Sequence, residues 1–591
     1  MKQFFKFMFA SMLGTLLTFV LGFFLLIGVF ASIISLASKE EVKISNKSVL
    51  HIKFEGMVTD RSTNNPFEGF DFNTMKSKKE LGLNDILINL KKAKTDPNIK
   101  GIFLDLSDIP FGISVLEEIR NSLIDFKNSG KFIISYSEMY SQKSYYLASV
   151  ADKIYLNKEG GIDFHGLAAE IMFYKGLMQK LDVDMQIIRH GKFKSAVEPF
   201  LLDKMSDANR EQTRLFIGSI WNHIVKGIAE SRKISIAELQ NIADSLLVET
   251  ASDALKYKFV DELVYKDQVI DALRKKSGID DTEDIDYITL SKYADVKTTD
   301  TKMKFSKNKI AIVYAVGAIE SGEGKEQTIG SETISEAIRD ARNDNAVKAI
   351  VLRVNSPGGS ALASEVIWRE VLLAKKAKPV VVSMGDYAAS GGYYIACAAD
   401  KIIASPTTIT GSIGVFGMIP NLQKMFNNKL GITFDTVLTN KNAVAISANR
   451  PLSSYQEKVI QNQIERIYGV FIAHVAEGRK MTVEQVDNIG QGRVWSGFDA
   501  KRIGLVDDFG GIDKAIEEAV KLAKLTEYKV IEYPKQKEFF QQIMEEFSGN
   551  NSTIKALEKE LDENFVYYQT LKSVSEMKGI QARLPYVINL N

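Results

Sequence analysis

Hydrophobic positions along the chain change their period regularly, and the change marks strands that alternate with helices. A short run of aliphatic and β-branched residues, AIVLRV at 349–354, is followed by an amphipathic stretch, SALASEVIWREVLLAKK at 360–376. Another apolar run at 380–384 and another helical stretch at 391–401 come next. This alternation predicts βα units and a mainly parallel sheet that is covered by helices.

The pattern occurs twice, which indicates an internal duplication. YYLASVAD at 145–152 returns as YYIACAAD at 393–400, an offset of 248 residues. Nearly the same offset relates three further pairs of segments: 96–106 with 344–354, 131–137 with 379–385, and 251–262 with 497–508. Agreement in the same order over such a span indicates a duplicated domain and not a short solenoid repeat.

The duplication divides the chain into four predicted parts. An N-terminal membrane anchor takes residues 1–40, and a first βα repeat takes residues 41–305. A second repeat follows at 306–531, and residues 532–591 form a C-terminal extension of helical, polar character.

The anchor is predicted from the apolar stretch between Phe9 and Leu36, which has 28 residues and no charge. At about 1.5 Å per residue a helix here is about 42 Å long, enough for a hydrocarbon core of about 30 Å. Lys2 and Lys6 precede the stretch, so the positive-inside rule places the N-terminus in the cytoplasm and the rest outside. A signal peptide cleaved near 35–37 is the alternative, although its apolar run is usually about 7–15 residues.

Composition narrows the possible functions. The chain of 591 residues is 45% hydrophobic and 25% charged, with a formal net charge of +1. The absence of a basic excess argues against nucleic-acid binding. The one cysteine, Cys397, excludes an intramolecular disulfide, and its apolar surroundings predict a small buried core residue. We expect no cofactor.

Two glycine-marked junctions between a strand and a helix form the candidate site, and both lie in the second repeat. At the first, Gly358 and Gly359 permit a tight turn whose N–H groups point outward, as an oxyanion hole requires. At the second, Ser390 lies just before a helix and is followed by Gly391, an arrangement that suits an acyl-enzyme. A plain helix cap is the alternative role for Ser390.

The first repeat lacks these chemical groups although it keeps the pattern of the fold. Gln142 stands opposite Ser390, and Pro110 stands opposite Gly358. Packing requirements alone act on both copies of a duplicated scaffold. A constellation confined to one copy therefore favours a functional site.

A nucleophilic serine needs a base. The five histidines lie in no segment that resembles a triad motif, and structural roles are expected for them: His51, His165, His190, His223 and His474. His190 stays open as a base because it is close in sequence to Lys194. A lysine with a lowered pKa is the other base that activates serine, and Lys194 in RHGKFKSAVEPF is the candidate. A solvated lysine is the alternative.

Together these strings resemble signal peptide peptidase A, also called protease IV, in its long duplicated form. The resemblance is carried by GKFKSAVEPF (191–200), VNSPGGSALASEVI (354–367), GDYAASGGYYIACAADKI (385–402), PTTITGSIGV (406–415) and GRVWSGFDAKRIGLVDD (492–508). It covers nearly the whole chain. It implies an α/β fold of two tandem repeats of the Clp protease and crotonase type, preceded by one transmembrane helix.

The resemblance also implies a set of site residues. They are Ser390 as nucleophile, Lys194 as base, Ser412 as the group that orients the lysine amine, and Gly391 with Gly358 or Gly359 around the oxyanion. In the second repeat Ala443 stands opposite Lys194, so this repeat has lost its own lysine. Lys441 nearby is a distant second candidate for the base.

The implied function is a membrane-anchored serine endopeptidase that degrades residual signal peptides after their release from secreted proteins. The implied partners are signal peptides and other apolar extended peptides, the lipid bilayer, and further copies of the chain in a bowl-shaped homo-oligomer, a tetramer by resemblance. The implied location is the bacterial inner membrane, with the catalytic part on the periplasmic side. Two rivals stay open: a crotonase-like acyl-CoA enzyme, and an inactive scaffold that binds membrane proteins.

Overall fold

The computed structural model describes residues 2–37, 44–63, 70–71, 76–77, 81–280, 283–296, 306–325, 327–536 and 579–584. The first element is helix α1 (Lys2–Ala37). Its stretch Lys2–Leu25 has a mean hydropathy of 2.1 and packs against no other part of the described chain. By length and composition this helix can cross a membrane, as the uninterrupted apolar sequence predicts.

The first repeat is built around a parallel sheet with the strand order β8-β6-β5-β4-β1-β9. The strands of this part are β1 (Ser48–Ile52), β2 (Phe70–Asp71), β3 (Lys76–Ser77), β4 (Ile99–Asp105), β5 (Phe132–Tyr140), β6 (Lys153–Ile162), β7 (Asp184–Arg189), β8 (Glu262–Leu263) and β9 (Tyr287–Thr289). The helices are α2 (Leu83–Thr95), α3 (Ile113–Lys127), α4 (Gln142–Ala148), α5 (Lys175–Lys180), α6 (Glu198–Leu201), α7 (Asp207–Arg232), α8 (Ile236–Asp244), α9 (Ala251–Lys256), α10 (Lys266–Ser277) and α11 (Leu290–Ala294).

The second repeat has a corresponding sheet with the order β19-β17-β15-β13-β10-β21, in which β16 also pairs with β15. Its strands are β10 (Lys309–Val316), β11 (Ala318–Glu320), β12 (Thr328–Gly330), β13 (Val347–Ser356), β14 (Gly358–Ser360), β15 (Val380–Ala389), β16 (Lys401–Ala404), β17 (Ile409–Gly411), β18 (Phe416–Asn421), β19 (Val494–Ser496), β20 (Asp508–Phe509), β21 (Lys529–Tyr533) and β22 (Gln581–Arg583). Its helices are α12 (Ser331–Asn343), α13 (Ala361–Ala377), α14 (Gly391–Ala396), α15 (Ser454–Arg479), α16 (Val483–Ile489), α17 (Gly497–Arg502) and α18 (Ile512–Leu522).

The elements confirm the duplication. Strands β4, β5 and β6 recur as β13, β15 and β16, and helices α2, α3 and α7 recur as α12, α13 and α15. Even the ends of the long helices match: Ser206 and Ser453 cap their starts, each accepting a hydrogen bond from a backbone N–H three residues on. Both helices end at a lysine in the left-handed conformation, Lys233 and Lys480. The predicted fold class of two tandem βα repeats is confirmed.

A third sheet joins the two repeats, with the order β12-β11-β14-β22-β18-β7. Strand β7 comes from the first repeat and pairs antiparallel with β18 of the second, from Asp184 opposite Asn421 to Arg189 opposite Phe416. The segment that follows β7 is thereby directed into the second repeat.

Buried ionic contacts also join the repeats. Arg353 on β13 is completely buried, and its Nε lies 2.6 Å from Oδ1 of Asp60. Its Nη2 lies 2.7 Å from Oε1 of Glu118 on α3. Both carboxylates belong to the first repeat. Burying an arginine without such partners costs free energy. The folded state of each repeat therefore depends on its contact with the other repeat.

The predicted boundaries between the four parts and the helical character of the C-terminal part stay predictions. Residues 537–578 and 585–591 lie outside the described residues. Among the described residues of this part, β21 crosses the predicted boundary at 531 and pairs with β10. Strand β22 lies in the third sheet. Open strand edges offer backbone partners that a local polar pattern cannot reveal.

Candidate active site

Strand pairing sets the position of Lys194. The lysine comes five residues after β7, so the β7–β18 ladder carries it across to the second repeat. Arg189 at the end of β7 donates a hydrogen bond from Nη1 to the Lys194 carbonyl oxygen (3.0 Å). The Lys194 side chain is completely buried. The alternative of a solvated lysine is therefore wrong.

Ser390 occupies a strained turn between β15 and α14. Its φ is 55° and its ψ is −112°, a backbone conformation that costs a non-glycine residue of order 1–3 kcal/mol. The Ser390 N–H donates to the Gly411 carbonyl oxygen at 2.8 Å, which helps to hold the turn. The side chain makes no capping bond to α14, so a plain helix cap is also wrong. The Ser390 hydroxyl is left for another partner.

That partner is the amine of Lys194. The distance from Lys194 Nζ to Ser390 Oγ is 2.8 Å, although 196 residues separate them. The same Nζ lies 3.1 Å from Ser412 Oγ and 3.3 Å from the Ser412 carbonyl oxygen. All three residues are buried completely. The structure brings the three polar side chains of the predicted site together.

Burial determines the charge of this amine. Removal from water lowers the pKa of Lys194 well below its usual 10.5. The Phe416 ring, 6.0 Å from Nζ, is among its neighbours. Ser390 Oγ also lies 3.3 Å from the Gly414 carbonyl oxygen, a second acceptor for the hydroxyl proton. A neutral amine can accept a proton from Ser390, which a protonated one cannot.

The structure distinguishes the two glycines of the first junction. Gly358 has φ +96°, and a Cβ added to it would come within 2.8 Å of the Gly391 nitrogen. A Cβ on Gly359 would instead meet the Ile319 carbonyl oxygen on β11 at 2.0 Å. Gly358 thus borders Gly391 beside Ser390, whereas Gly359 faces the neighbouring strand.

A loop of the second repeat that the sequence did not single out supports both sides of the site. Gly492, with φ +83°, packs so closely on Lys194 that an added Cβ would lie 2.6 Å from the lysine Cα. The Gln491 carbonyl oxygen accepts from Phe193 N–H, and the Arg493 carbonyl oxygen accepts from Ser412 N–H. The only advance signal was the glycine at the start of the string GRVW.

Gln212 on α7 is a second residue that sequence reasoning missed. It is buried, and its Nε2 donates to the Phe193 carbonyl oxygen (3.1 Å) and to Ser195 Oγ (3.0 Å). Its Oε1 accepts from Val494 N–H at 3.1 Å. One amide thus links the lysine segment to the loop around Gly492. A lone glutamine in a helix carries no sequence signal for such a role.

The rejected bases lie elsewhere. Each histidine ring contacts a carboxylate, in the pairs His51–Asp105, His165–Asp163, His190–Glu465, His223–Glu117 and His474–Glu365. Lys441 and Ala443 are exposed on a loop of the second repeat. Cys397 is buried as predicted, and burial raises the pKa of its thiol to about 12.

The counterpart site in the first repeat is filled by its own chain. Gln142, opposite Ser390, accepts from the N–H groups of His165 and Gly166 and donates to the Gly166 carbonyl oxygen. The side chain that stands opposite Ser390 is therefore fully engaged with the backbone of its own repeat. The chemical groups are confined to the second repeat and the lysine it receives.

A buried serine hydroxyl within hydrogen-bond distance of a buried lysine amine, on a duplicated α/β scaffold, is the arrangement that a serine hydrolase with a lysine base would need. The model of Peptidase family S49 matches residues 125–280 and 373–526, once in each repeat. The chain belongs to this family and is a serine-type protease.

Relatives cover most of the chain. Protease 4 of Salmonella typhi is 43% identical over 483 residues, 80% of this chain and 77% of that protein. Serine protease SPPA, chloroplastic, of Arabidopsis thaliana is 30% identical over 550 residues, 92% of this chain and 78% of that protein. Among solved structures, a ClpP1 mutant from Listeria monocytogenes aligns at 17% identity over 35% of this chain and 94% of its own, with a TM-score of 0.24. A score this low carries no argument.

Proposed function

We propose that this protein is a membrane-anchored endopeptidase that degrades residual signal peptides and similar apolar, extended peptides through a Ser390/Lys194 dyad. The observation that carries the proposal is the 2.8 Å contact between Lys194 Nζ and Ser390 Oγ in a completely buried environment. The proposed role of each group follows from its contacts.

Lys194 acts as the base in its neutral form. Its lone pair accepts the Ser390 proton, and its two N–H bonds point to the hydroxyl and carbonyl oxygens of Ser412. Ser390 Oγ then attacks the peptide carbonyl carbon, and the protonated lysine passes its proton to the leaving amine. Water hydrolyses the resulting ester by the same proton transfers in reverse order.

The oxyanion formed in each step is stabilised by the backbone N–H groups of Gly391 and Gly358. These glycines border each other next to Ser390. The Gly358 N–H also donates to Ser356 Oγ at 3.1 Å, so Gly359 stays a candidate for the second donor. Fixed donors of this kind are worth about 10²–10³-fold in rate each.

Labelling with a fluorophosphonate, which reacts with activated serines, tests the dyad. Wild type should be labelled, and Ser390→Ala should not, with hydrolysis of a peptide ester falling at least about 1000-fold. A Ser390→Ala variant that hydrolyses the ester normally would falsify the assignment. Absent labelling in folded wild type would favour the inactive scaffold, and turnover of an acyl-CoA would favour the crotonase-like enzyme.

The substrate class follows from the third sheet and from α1. Strands β14 and β18 lie beside the site with an antiparallel strand between them, the arrangement in which an extended peptide can bind by main-chain hydrogen bonds. An anchor holds the site close to the membrane, where leftover apolar signal peptides remain. A peptide library should yield cuts in apolar stretches, and selection for a charged residue at the cut would contradict this.

Location is proposed on the same basis. The apolar helix α1 and the basic residues Lys2 and Lys6 favour an uncleaved anchor in a bacterial inner membrane with the repeats on the periplasmic side. Protease added outside spheroplasts should digest the repeats. N-terminal sequencing that starts near residue 38 would instead identify a cleaved signal peptide.

Assembly with further copies is proposed from the repeat itself. Within the chain, β7 of the first repeat pairs with β18 of the second. Their counterparts in the other repeats are 433–438 and 168–173, which form no strand among the described residues. The side chains of 433–438 are all exposed, Val437 by 98%. We propose that 433–438 of one copy pairs with 168–173 of the next, which closes a ring.

Light scattering in detergent tests this contact. Val437→Asp should lower the mass of the assembly, because a charge replaces an apolar side chain in the proposed strand pair. Val483→Asp is the matched control, since Val483 is another exposed valine, on α16. An unchanged mass for Val437→Asp would overturn this contact, and a ring of other than four copies would overturn the expected tetramer.

A further inference from the structure

A hydrogen bond between two helices lies one helical turn away from Ser390. The Tyr394 hydroxyl on α14 donates to Oε2 of Glu365 on α13 at 2.5 Å. The Tyr394 side chain is buried, and its backbone N–H donates to the Ser390 carbonyl oxygen at 2.8 Å. The bond between Tyr394 and Glu365 therefore joins the helix that follows the nucleophile to α13.

Each of these two helices starts at a glycine that is a candidate oxyanion donor. Gly391 is the first residue of α14, and the glycine turn at 358–359 comes just before α13. A Cβ added to Gly391 would lie 2.7 Å from Ser364 Oγ on α13 and 3.2 Å from the Gly358 Cα, so the two helix starts are in contact. The relative position of α13 and α14 therefore determines how the two donors are directed at the oxyanion.

A histidine on a third helix contacts the same carboxylate oxygen. The bond from His474 on α15 lowers the pKa of the half-exposed Glu365, and the bond from Tyr394 adds to this, so the carboxylate is ionised. Nε2 of His474 lies 3.1 Å from Glu365 Oε2, and it must donate because an ionised carboxylate only accepts. The ring stacks on Trp368 of α13 with centroids 3.4 Å apart, which holds its orientation.

The first repeat contains the same trio of side chains. The Tyr146 hydroxyl on α4 donates to Oε2 of Glu117 on α3 at 2.5 Å, and Nε2 of His223 on α7 lies 3.1 Å from Glu117 Oε1. The offset of 248 residues that relates the repeats also relates Glu117 to Glu365 and Tyr146 to Tyr394. Each repeat thus joins three helices at one carboxylate.

The two histidines come from different turns of the long helices. The caps Ser206 and Ser453 are 247 residues apart, whereas His223 and His474 are 251 apart, so His474 lies one turn further along its helix. The contact is kept although the aligned position is not. In the first repeat, which lacks the nucleophile, the trio only packs helices together, whereas in the second repeat it lies beside the reactive groups.

We infer that Tyr394, held by Glu365 and His474, is a positioning residue that sets the geometry of the oxyanion hole. By joining α14 to α13 it keeps the Gly391 N–H and the glycine turn at the separation that suits the tetrahedral intermediate. Because its hydroxyl is bonded to Glu365, Tyr394 acts through the helix and not on the peptide. Its effect should therefore appear in turnover more than in substrate binding. This inference rests on the proposed function.

Removal of the hydroxyl from each repeat in turn tests the inference. Tyr394→Phe should lower kcat for ester hydrolysis by about 10–100-fold and leave KM nearly unchanged, because a small displacement of a catalytic group is enough for such a loss. Tyr146→Phe is the matched control and should keep kcat, since it removes the same hydroxyl from the repeat without a nucleophile.

Thermal unfolding of the same two variants separates positioning from stability. The Glu117 side chain is 9% exposed and that of Glu365 is 39% exposed, so losing the tyrosine hydroxyl should lower the Tm at least as much in Tyr146→Phe. A role in stability alone would give the larger loss of activity in Tyr146→Phe. A normal kcat in Tyr394→Phe, or equal losses of kcat in the two variants, would overturn the inference.

Variants of Glu365 provide a second test, and they should fold because this side chain is partly exposed. Glu365→Gln keeps an amide oxygen that can accept from Tyr394 and should retain most of the wild-type kcat. Glu365→Ala should lose as much as Tyr394→Phe, and the double variant should lose no more than either alone, since all three remove one contact. Losses that multiply in the double variant would contradict a shared role.

The rate of fluorophosphonate labelling distinguishes this inference from the proposed function. Tyr394→Phe should be labelled more slowly than wild type but to completion, because Ser390 and Lys194 are both present. Labelling of Tyr394→Phe as fast as wild type would overturn the positioning role and leave the dyad intact. Wild type that is neither labelled nor active would overturn the proposed function itself.

Discussion

Single residues at the site combine burial with unusual backbone geometry. Ser390 and Ser412 both have a positive φ, 55° and 50°. Glycine adopts such angles more easily than serine does. The side chain of Lys194 is completely buried. Each feature costs stability, and each holds a reactive group in place, which is typical of active sites.

The pH dependence of activity should follow the protonation of Lys194. Because burial lowers its pKa, the neutral form is already present below pH 10.5, and activity should rise with pH through that lowered pKa. At lower pH the amine is protonated, and activity is lost. Lys194→Arg should be nearly inactive at every pH, since arginine stays protonated. Rates of ester hydrolysis against pH measure this.

Lys441→Ala is the matched control, because it removes an exposed lysine from the stretch that corresponds to the Lys194 segment. It should keep the rate and pH profile of wild type. An active Lys194→Ala would contradict the dyad and reopen the case for Lys441 or a histidine, and an inactive Lys441→Ala would favour Lys441 as the base.

Ser412→Ala should lower kcat by about 10–100-fold and leave KM nearly unchanged, because Ser412 contacts the amine and not the peptide. Ser412 Oγ accepts a hydrogen bond more strongly from a charged amine. Its loss should therefore move the pH inflection downward. Ser453→Ala, which removes a remote helix cap, is the control and should leave the inflection in place. An upward move in Ser412→Ala would contradict the assigned geometry.

At the scale of elements, strand pairing and loop packing determine the position of Lys194. The ladder between β7 and β18 fixes where the segment 190–194 enters the second repeat. The loop at 491–493 then holds this segment and Ser412 by main-chain hydrogen bonds. The dyad is thus positioned by backbone contacts more than by side chains.

Gly492→Ala should reduce activity by about 100-fold or more, because a Cβ there lies 2.6 Å from the Lys194 Cα and must displace the lysine. Gly504→Ala is a matched control. Gly504 has φ +84°, close to the +83° of Gly492, but a Cβ added to it meets nothing within 4 Å. Gly504→Ala should pay only the backbone strain, about 1 kcal/mol, and keep its kcat. Equal kcat values in the two variants would count against the packing argument.

At the scale of the whole molecule, the repeats form one functional unit. Neither repeat holds both partners of the dyad, since Lys194 comes from the first and Ser390 from the second. The buried contacts of Arg353 with Asp60 and Glu118 run across the same junction. These ionic contacts can therefore influence whether the site is complete.

Arg353→Met should destabilise the protein by about 3–5 kcal/mol, because it leaves two carboxylates buried without their cation. Thermal unfolding in detergent, followed together with ester hydrolysis, should give a lower Tm and an earlier loss of activity. Arg502→Met removes an exposed arginine that pairs with Asp499 and should change Tm little. A wild-type Tm in Arg353→Met would mean that the junction does not depend on this cluster.

The sequence by itself predicted the βα alternation, the duplication and an N-terminal helix long enough to cross a membrane, and the family resemblance supplied Ser390, Lys194 and Ser412 as candidate site residues. These predictions rest on the local periodicity of hydrophobic residues, on the positions of glycines and serines, and on short motifs, all of which can be read from the sequence. The plain-cap alternative for Ser390 and the exposed alternative for Lys194 could not be decided there, because burial is a property of the fold.

Only the tertiary structure decided which glycine borders Gly391, how Gly492 and Gln212 support the lysine, and that β22 (Gln581–Arg583) lies beside the site. Strand β22 was not predicted, because a strand depends on partners far away in sequence. β22 finds its partners more than 160 residues earlier, at β14 and β18. Strand pairing between segments so far apart in sequence depends on the tertiary fold, and it produces no periodic pattern in the sequence.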